Sequence, residues 1–188
     1  MLERRHAIAT LLAHRRDDLV IVSGLGSTTY DVASVKDDDR NFYLWGAMGG
    51  AAMVGLGVAI ARPDLRVAVI TGDGETLMGL GALATVAVQR PANLAIVVFD
   101  NGLYGETGSQ ASHTGGTVDL VKAAAACGIG CTMEVTDEPG LARLAELLST
   151  FTQTLFARVA ITPTEPPRVL PTRDGVALKL RFRKAIGL

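Results

Sequence analysis

Three short segments hold residues whose types could do chemistry together: Gly72-Asp73-Gly74, Asp100-Asn101-Gly102 and Ser23-Gly24-Leu25-Gly26-Ser27. An Asp carboxylate and an Asn amide oxygen are hard donors of the kind that fill magnesium's octahedral shell, and glycines let backbone approach phosphate oxygens closely. Gly72-Asp73-Gly74 also runs into a helical pattern, whose first free N–H groups attract anions. The set suits a divalent cation bridging a phosphate group, with the remaining ligands coming from phosphate oxygens, a main-chain carbonyl and water. Taken alone, Gly-Asp-Gly is equally the composition of an ordinary turn between strand and helix.

The flanking runs decide how these segments can meet. Leu19-Val20-Ile21-Val22, Val67-Ala68-Val69-Ile70 and Leu94-Ala95-Ile96-Val97-Val98-Phe99 are short buried-strand runs, and each ends at one of the three polar loops. Helical patterns are predicted over 3–14, after the first glycine turn, and over 48–61, 76–89, 118–127 and 137–149; further strands are predicted over 42–45, 133–135 and 155–161. This alternation predicts an α/β fold, a parallel sheet with helices on both faces. Ligands of such sheets bind at the carboxyl ends of the strands, so the loops opening at Ser23, Gly72 and Asp100 should line one rim. Pro163, Pro166, Pro167 and Pro171 mark an extended segment, and Gly175 to Leu188 interleaves apolar with basic residues, a tail that could pack on its own subunit or a neighbour, or present a solvated face.

Composition removes several classes of function. The 188 residues suit one domain, and 48% hydrophobic against 20% charged residues exclude a wholly disordered chain. Eighteen Lys and Arg against 19 Asp and Glu leave a charge of −1, which disfavours nucleic acid and anionic membranes as partners. Cys127 and Cys131 match no zinc spacing and are read as reduced and packed. The N-terminal segment lacks a signal peptide's apolar core, which predicts a cytoplasmic protein. The stretch 41–61 is free of charge but interrupted by glycines, and reads as strand, turn and helix rather than a membrane span.

Gly72-Asp73-Gly74 followed by residues 75–100 and then Asn101 resembles the signature of thiamine-diphosphate-dependent enzymes. Within them the chain is most similar to the beta subunits of sulfopyruvate decarboxylase and to phosphonopyruvate decarboxylases. The resemblance is carried by Ser34-Val35-Lys36-Asp37, Asn41-Phe42-Tyr43, Gly46-Ala47-Met48-Gly49, Gly55-Leu56-Gly57, Leu80 to Thr85, Asp100 to Gly105 and Thr107 to Gln110, across about residues 1–160. It implies a flavodoxin-like three-layer thiamine-diphosphate-binding domain over 1–162, with 163–188 as a Pro-rich extended segment and basic tail. It further implies Mg2+ held by the side chains of Asp73 and Asn101 and the main-chain oxygen of Leu103. The diphosphate would meet Ser27 and the helix start at Gly74, Glu75 and Thr76. Gly46 would offer its carbonyl to the cofactor's amino group, and Met48 would wedge beneath the bent cofactor; on pattern alone, Met48 also reads as core filler at a helix start.

Glu75 departs from the family, where small residues are common at that position, and its side chain is expected to point away from the diphosphate. His113, in the glycine-rich loop 102–116, is a candidate for binding an acidic substrate or moving a proton, and Gln110 for hydrogen bonding to the substrate. His6 and His14 read as ordinary helix-surface residues, and Glu106 as solvent-facing or a loop brace. The family's activating glutamate comes from a second, pyrimidine-binding domain, for which this length leaves no room. The expectation is therefore the diphosphate-binding half of a split 2-oxo acid decarboxylase, completed by an alpha-type subunit in a hetero-oligomer. Its substrate would carry a second anionic group, sulfonate or phosphonate. A split carboligase of acetolactate-synthase type shares the same motifs, and a non-catalytic subunit of the same fold is the reading in which Glu75 has spoiled the phosphate site. Gly24-Leu25-Gly26 follows a strand, but Thr29 stands where a dinucleotide fingerprint needs its third glycine.

Overall fold

The computed structural model describes all 188 residues. The apolar runs form strands β1 (Leu19–Ser23), β2 (Asn41–Tyr43), β3 (Arg66–Gly72) and β4 (Leu94–Asp100). A two-residue hairpin follows, β5 (Leu103–Tyr104) with β6 (Gln110–Ala111), and then β7 (Cys131–Val135) and β8 (Leu155–Ala160). Six of these make one parallel sheet in the order β2-β1-β3-β4-β8-β7. β1 runs outward to β2 on one side, whereas the chain next adds β3 on β1's other side. That reversal opens a crevice beyond the carboxyl ends of β1 and β3, the place where open α/β sheets bind ligands.

Eight helices cover the sheet: α1 (Arg4–Leu12), α2 (Ser27–Val35), α3 (Ala51–Ala61), α4 (Asp73–Met78), α5 (Ala82–Gln89), α6 (Leu120–Ala126), α7 (Glu138–Thr150) and α8 (Gly175–Ala185). Strand side chains alternate between two cores. Ile21, Ala68, Ile70, Ala95 and Val97 face Ile8, Leu11, Leu141, Leu144 and Leu148. Val20, Val22, Val67, Val69, Ile96 and Val98 face Leu56, Leu83, Val86 and Leu120. The central strands are buried on both faces, which explains why they read as unbroken apolar runs rather than alternating ones.

Several boundaries differ from those predicted. The helix expected over 76–89 is two, α4 and α5, because the backbones of Gly49 and Gly79 cross there; a Cβ on Gly79 would stand 2.2 Å from the Gly49 carbonyl oxygen. The helix expected from Met48 starts at Ala51, which places Met48 in the preceding turn. The segment 163–174 carries no helix or strand, and the basic tail then forms α8, capped by the Asp174 carboxylate accepting from Val176 N at 2.9 Å and Ala177 N at 3.0 Å. Its apolar residues are buried on the chain's own domain: Leu178 enters one core and Phe182 and Ile186 the other, with the Phe182 and Phe42 ring centroids 5.4 Å apart. The Arg181 guanidinium donates to Asp37 at 2.7 and 3.1 Å and locks the helix over the β2 edge. Both cysteines are free thiols, half-buried against the second and first cores. No helix is long and apolar enough to cross a membrane.

Candidate functional site

The carboxyl ends of β1, β3 and β4 open into a cavity of about 230 Å³ lined by Leu25, Ser27, Met48, Gly72 to Glu75, Asn101, Leu103, Tyr104 and Glu106. The three loops singled out in the sequence therefore do meet. Ser27 is the first residue of α2, and Asp73 and Gly74 begin α4, so both helices direct their free N–H ends toward this rim.

Asp73 is 4% exposed, and its carboxylate is held without a cation. Ser112 Oγ donates to Asp73 Oδ2, and Thr114 Oγ1 lies 3.1 Å from the same oxygen. Thr114 Oγ1 is also 2.8 Å from Asp100 Oδ1, so one hydroxyl proton serves two carboxylates. Asp100 is compensated differently: Arg158 Nε donates to its Oδ2 at 2.6 Å and Gly102 N to its Oδ1 at 2.9 Å. Burial pushes the Asp73 carboxyl above its ordinary range, the Ser112 hydrogen bond opposes this, and the charge on Asp100 adds to it. An acid of this kind gains from a cation delivered to its other oxygen, which no side chain engages.

Glu75 is buried, and its carboxylate turns into the protein. Oε2 accepts from Leu25 N at 3.0 Å and from Thr71 Oγ1 at 3.0 Å, and Oε1 accepts from Ala51 N at 3.4 Å. Burial raises its pKa, and the Thr71 and Leu25 hydrogen bonds work the other way. The residue thus staples the ends of β1 and β3 to the start of α3. This is possible because residue 24 is glycine: a Cβ there would lie 1.8 Å from Glu75 Oε2.

The other anticipated residues fall into two groups. Asn101 and Leu103 line the cavity, with Asn101 Oδ1 accepting from Leu103 N at 2.9 Å. Met48 is 41% exposed and also lines the cavity, so it is not core filler. Thr76 turns its hydroxyl back to the Gly72 carbonyl at 2.8 Å, leaving its backbone at the helix start. Gly46 sits in a left-handed turn at φ 89° and outside the cavity lining. His113 Nδ1 is 2.7 Å from the Tyr104 hydroxyl, and both lie beside Met48 in an adjoining apolar hollow. Gln110 faces solvent, with its Nε2 donating to the Thr107 carbonyl at 2.9 Å, and lies outside both cavities. Glu106 lines the main cavity and is exposed, and it pairs with Arg168 of the tail at 3.2 Å. Ser112, Thr114 and Arg4 carry no local signal in the sequence; only the closed chain brings them to Asp73 or to the cavity wall.

Residues 24–159 match the family of thiamine pyrophosphate enzymes, C-terminal TPP binding domain. The chain belongs to this family. Within it, the chain is 44% identical over 110 residues to the sulfopyruvate decarboxylase subunit beta of Methanocaldococcus jannaschii, covering 58% of each chain. It is 42% identical over 158 residues to the phosphonopyruvate decarboxylase of Streptomyces viridochromogenes, covering 84% of this chain and 39% of that one. The solved benzoylformate decarboxylase of Polynucleobacter necessarius superposes with a TM-score of 0.74 at 19% identity, over 88% of this chain and 34% of that one, and so shares the fold. The matched stretch thus spans little more than half of the subunit relative and well under half of the single-chain relative.

The cavity fits the family's cofactor in kind. Its lining includes the buried Asp73 carboxylate, whose side-chain hydrogen bonds come from neutral hydroxyls, an amide oxygen at Asn101, and helix starts whose N–H groups can meet a diphosphate. No cluster of three or more His, Cys, Asp or Glu side chains forms a self-sufficient metal site, so a cation here would need ligand oxygens as well as protein ones.

Proposed function

We propose that this chain is the diphosphate-binding half of a split thiamine-diphosphate-dependent 2-oxo acid decarboxylase, acting on a substrate with a second anionic group such as a sulfonate or phosphonate. The observation that carries the reading is Asp73. Its buried carboxylate, supported only by neutral hydroxyls, shares a cavity with Asn101 and two helix starts and is placed to hold magnesium against a diphosphate. The similarity to sulfopyruvate and phosphonopyruvate decarboxylases supports the substrate class.

In this reading Asp73, Asn101 and the Leu103 carbonyl hold Mg2+, and Ser27 with the N–H groups of Gly74, Glu75 and Thr76 meet the diphosphate. When bound, thiamine diphosphate supplies the carbon nucleophile and the electron sink that decarboxylation needs. The chain's residues would supply geometry: α4 would hold the diphosphate, Gly46 would offer a carbonyl to the amino group, and Met48 would pack against the cofactor from the cavity wall. Tyr104 and His113 form a hydrogen-bonded pair beside Met48, able to hold or move a proton at His113, with Gln110 available from the same loop if a partner reshapes it. The hollow around Met48 contains no carboxylate, which fits an activating glutamate delivered by an alpha-type, pyrimidine-binding subunit.

The test is reconstitution with that subunit. The expected result is release of carbon dioxide from sulfopyruvate or phosphonopyruvate, dependent on magnesium and thiamine diphosphate. No release from these or from pyruvate overturns the decarboxylase reading, and carbon–carbon coupling on adding an aldehyde would assign a carboligase instead.

A further inference from the structure

Arg4 stands in the wall of the cavity that also holds Asp73, Gly74 and Asn101, although it lies far from them in the chain. It is carried there by an extra parallel bridge. Leu2 pairs beside Ile161, with Leu2 N donating to the Ala160 carbonyl at 3.2 Å and Thr162 N to the Leu2 carbonyl at 2.9 Å. The first turn of α1 therefore begins at the carboxyl end of β8, on the rim itself.

The guanidinium of Arg4 is an unusual group to bury. Arg4 is 6% exposed, its Nε lies 2.8 Å from Asp31 Oδ2 but out of line with it, and that N–H has no hydrogen-bond partner. Its single side-chain hydrogen bond is a long one, to Asp31 Oδ1 at 3.5 Å. Arg5 competes for the same carboxylate, donating to Asp31 Oδ1 from its Nε at 2.9 Å. Two arginines thus converge on Asp31, and the buried Nε–H of Arg4 is left without a hydrogen-bond partner at the cavity wall. A guanidinium held this way is poor as a structural ion pair and well suited to an anion with several oxygens.

The charge balance of the cavity indicates which anion. Apart from Arg4, the charged groups lining it, Asp31, Asp73, Glu75 and Glu106, are all acids, so Arg4 is the one cationic side chain there, and a diphosphate is more negative than one magnesium ion is positive. We propose that Arg4 is a binding residue for the diphosphate of the cofactor, an anion that would compete with Asp31 for its imperfectly paired guanidinium. The inference rests on the cofactor reading above. Arg4 is absent from the hollow of Met48 and His113, which favours the cofactor's anionic end over a substrate sulfonate or phosphonate.

The experiment is calorimetric titration of the reconstituted complex with thiamine diphosphate and magnesium, in the wild type, Arg4→Gln, Arg4→Lys and Asp31→Asn. Arg4→Gln should weaken cofactor binding by about 10- to 100-fold, Arg4→Lys by less, and Asp31→Asn should leave binding unchanged or tighten it, because the charge on Arg4 is then shared with no acid. A purely structural pair predicts instead that Arg4→Gln and Asp31→Asn weaken binding alike, which would overturn the proposal, as would wild-type affinity in Arg4→Gln. If Arg4→Gln does not fold, the sign of the Asp31→Asn effect decides in the same way. An unchanged cofactor Kd with a raised KM for sulfopyruvate but not pyruvate would move Arg4 to the substrate and overturn the assignment. No binding by the wild type would remove the cofactor reading itself.

Discussion

Two acidic clusters stand at opposite parts of the sheet and are stabilised in opposite ways. At the β2 edge, Arg40 donates to Asp38 at 3.0 and 3.1 Å with Arg15 nearby, and Arg181 grips Asp37; these hydrogen bonds to arginine hold both carboxyls below the usual carboxylate range. At the rim, Asp73 and Glu75 have only hydroxyls and backbone amides as donors, and burial raises both. Acids gripped by arginine have their charge compensated within the fold. Acids held by neutral donors keep theirs, which costs stability; in the proposed function Asp73 offers that charge to a cation, whereas Glu75 spends its oxygens on the fold.

The sharpest way to break this contrast is Asp73→Asn. Magnesium-dependent binding of thiamine diphosphate should fall by about 100-fold or more, since a metal ligand's charge is lost. The melting temperature without metal should hold or rise, because a buried uncompensated charge goes with it. Calorimetry and thermal melting check the two halves. Next in size is Gly24→Ala, where the new methyl would meet Glu75 Oε2 at 1.8 Å. A loss of about 2 kcal/mol is expected in chemical denaturation, partly recovered by adding Glu75→Ala.

Removing the hydroxyls from behind Asp73, the proposed metal ligand, should have a smaller effect. Ser112→Ala or Thr114→Val should weaken magnesium-dependent binding by about 10-fold, the usual size of an effect exerted through a ligand's supporting hydrogen bonds. Smaller still, Arg181→Met should cost about 0.5 kcal/mol, because Arg181 and Asp37 are 22% and 48% exposed and solvent screens the pair. A loss from Arg181→Met as large as that from Gly24→Ala would sink the distinction between the clusters.

The pH response separates them by sign. Without metal, Asp73 and Glu75 take up protons in the folded state before the unfolded one, so their contribution rises as pH falls through their raised folded pKa values and levels off below the unfolded values, near about 4. Asp37 and Asp38 stabilise fully above the unfolded value of about 4, and that stability is lost as pH falls through their depressed folded pKa values. Melting should show a shallow maximum between these windows, flattened in Asp73→Asn/Glu75→Gln.

Legibility in the sequence followed the range of the interaction. The strands ending at Ser23, Gly72 and Asp100 could be read because a strand buried on both faces must be apolar throughout. Asp73 and Asn101 could be read because each sits at such a strand's end. The break at Gly79 could not, since it comes from contact with Gly49, thirty positions away in the chain by the numbering. Helix α8 left a trace that alternation masked: Leu178, Phe182 and Ile186 recur every fourth residue, and those are the three that are buried.

The sequence by itself determined the layered parallel sheet, the three loops that share its rim and the oxygen donors at their tips, because periodicity and strand ends are local properties. Only the tertiary structure decided what stands behind those donors. Ser112 and Thr114 support Asp73, Glu75 turns inward under Gly24, and Arg4 arrives from the N-terminal bridge with its Nε–H unpartnered. Hydrogen bonds and charge balance depend on distance in space, and these residues are brought near one another only when the chain closes.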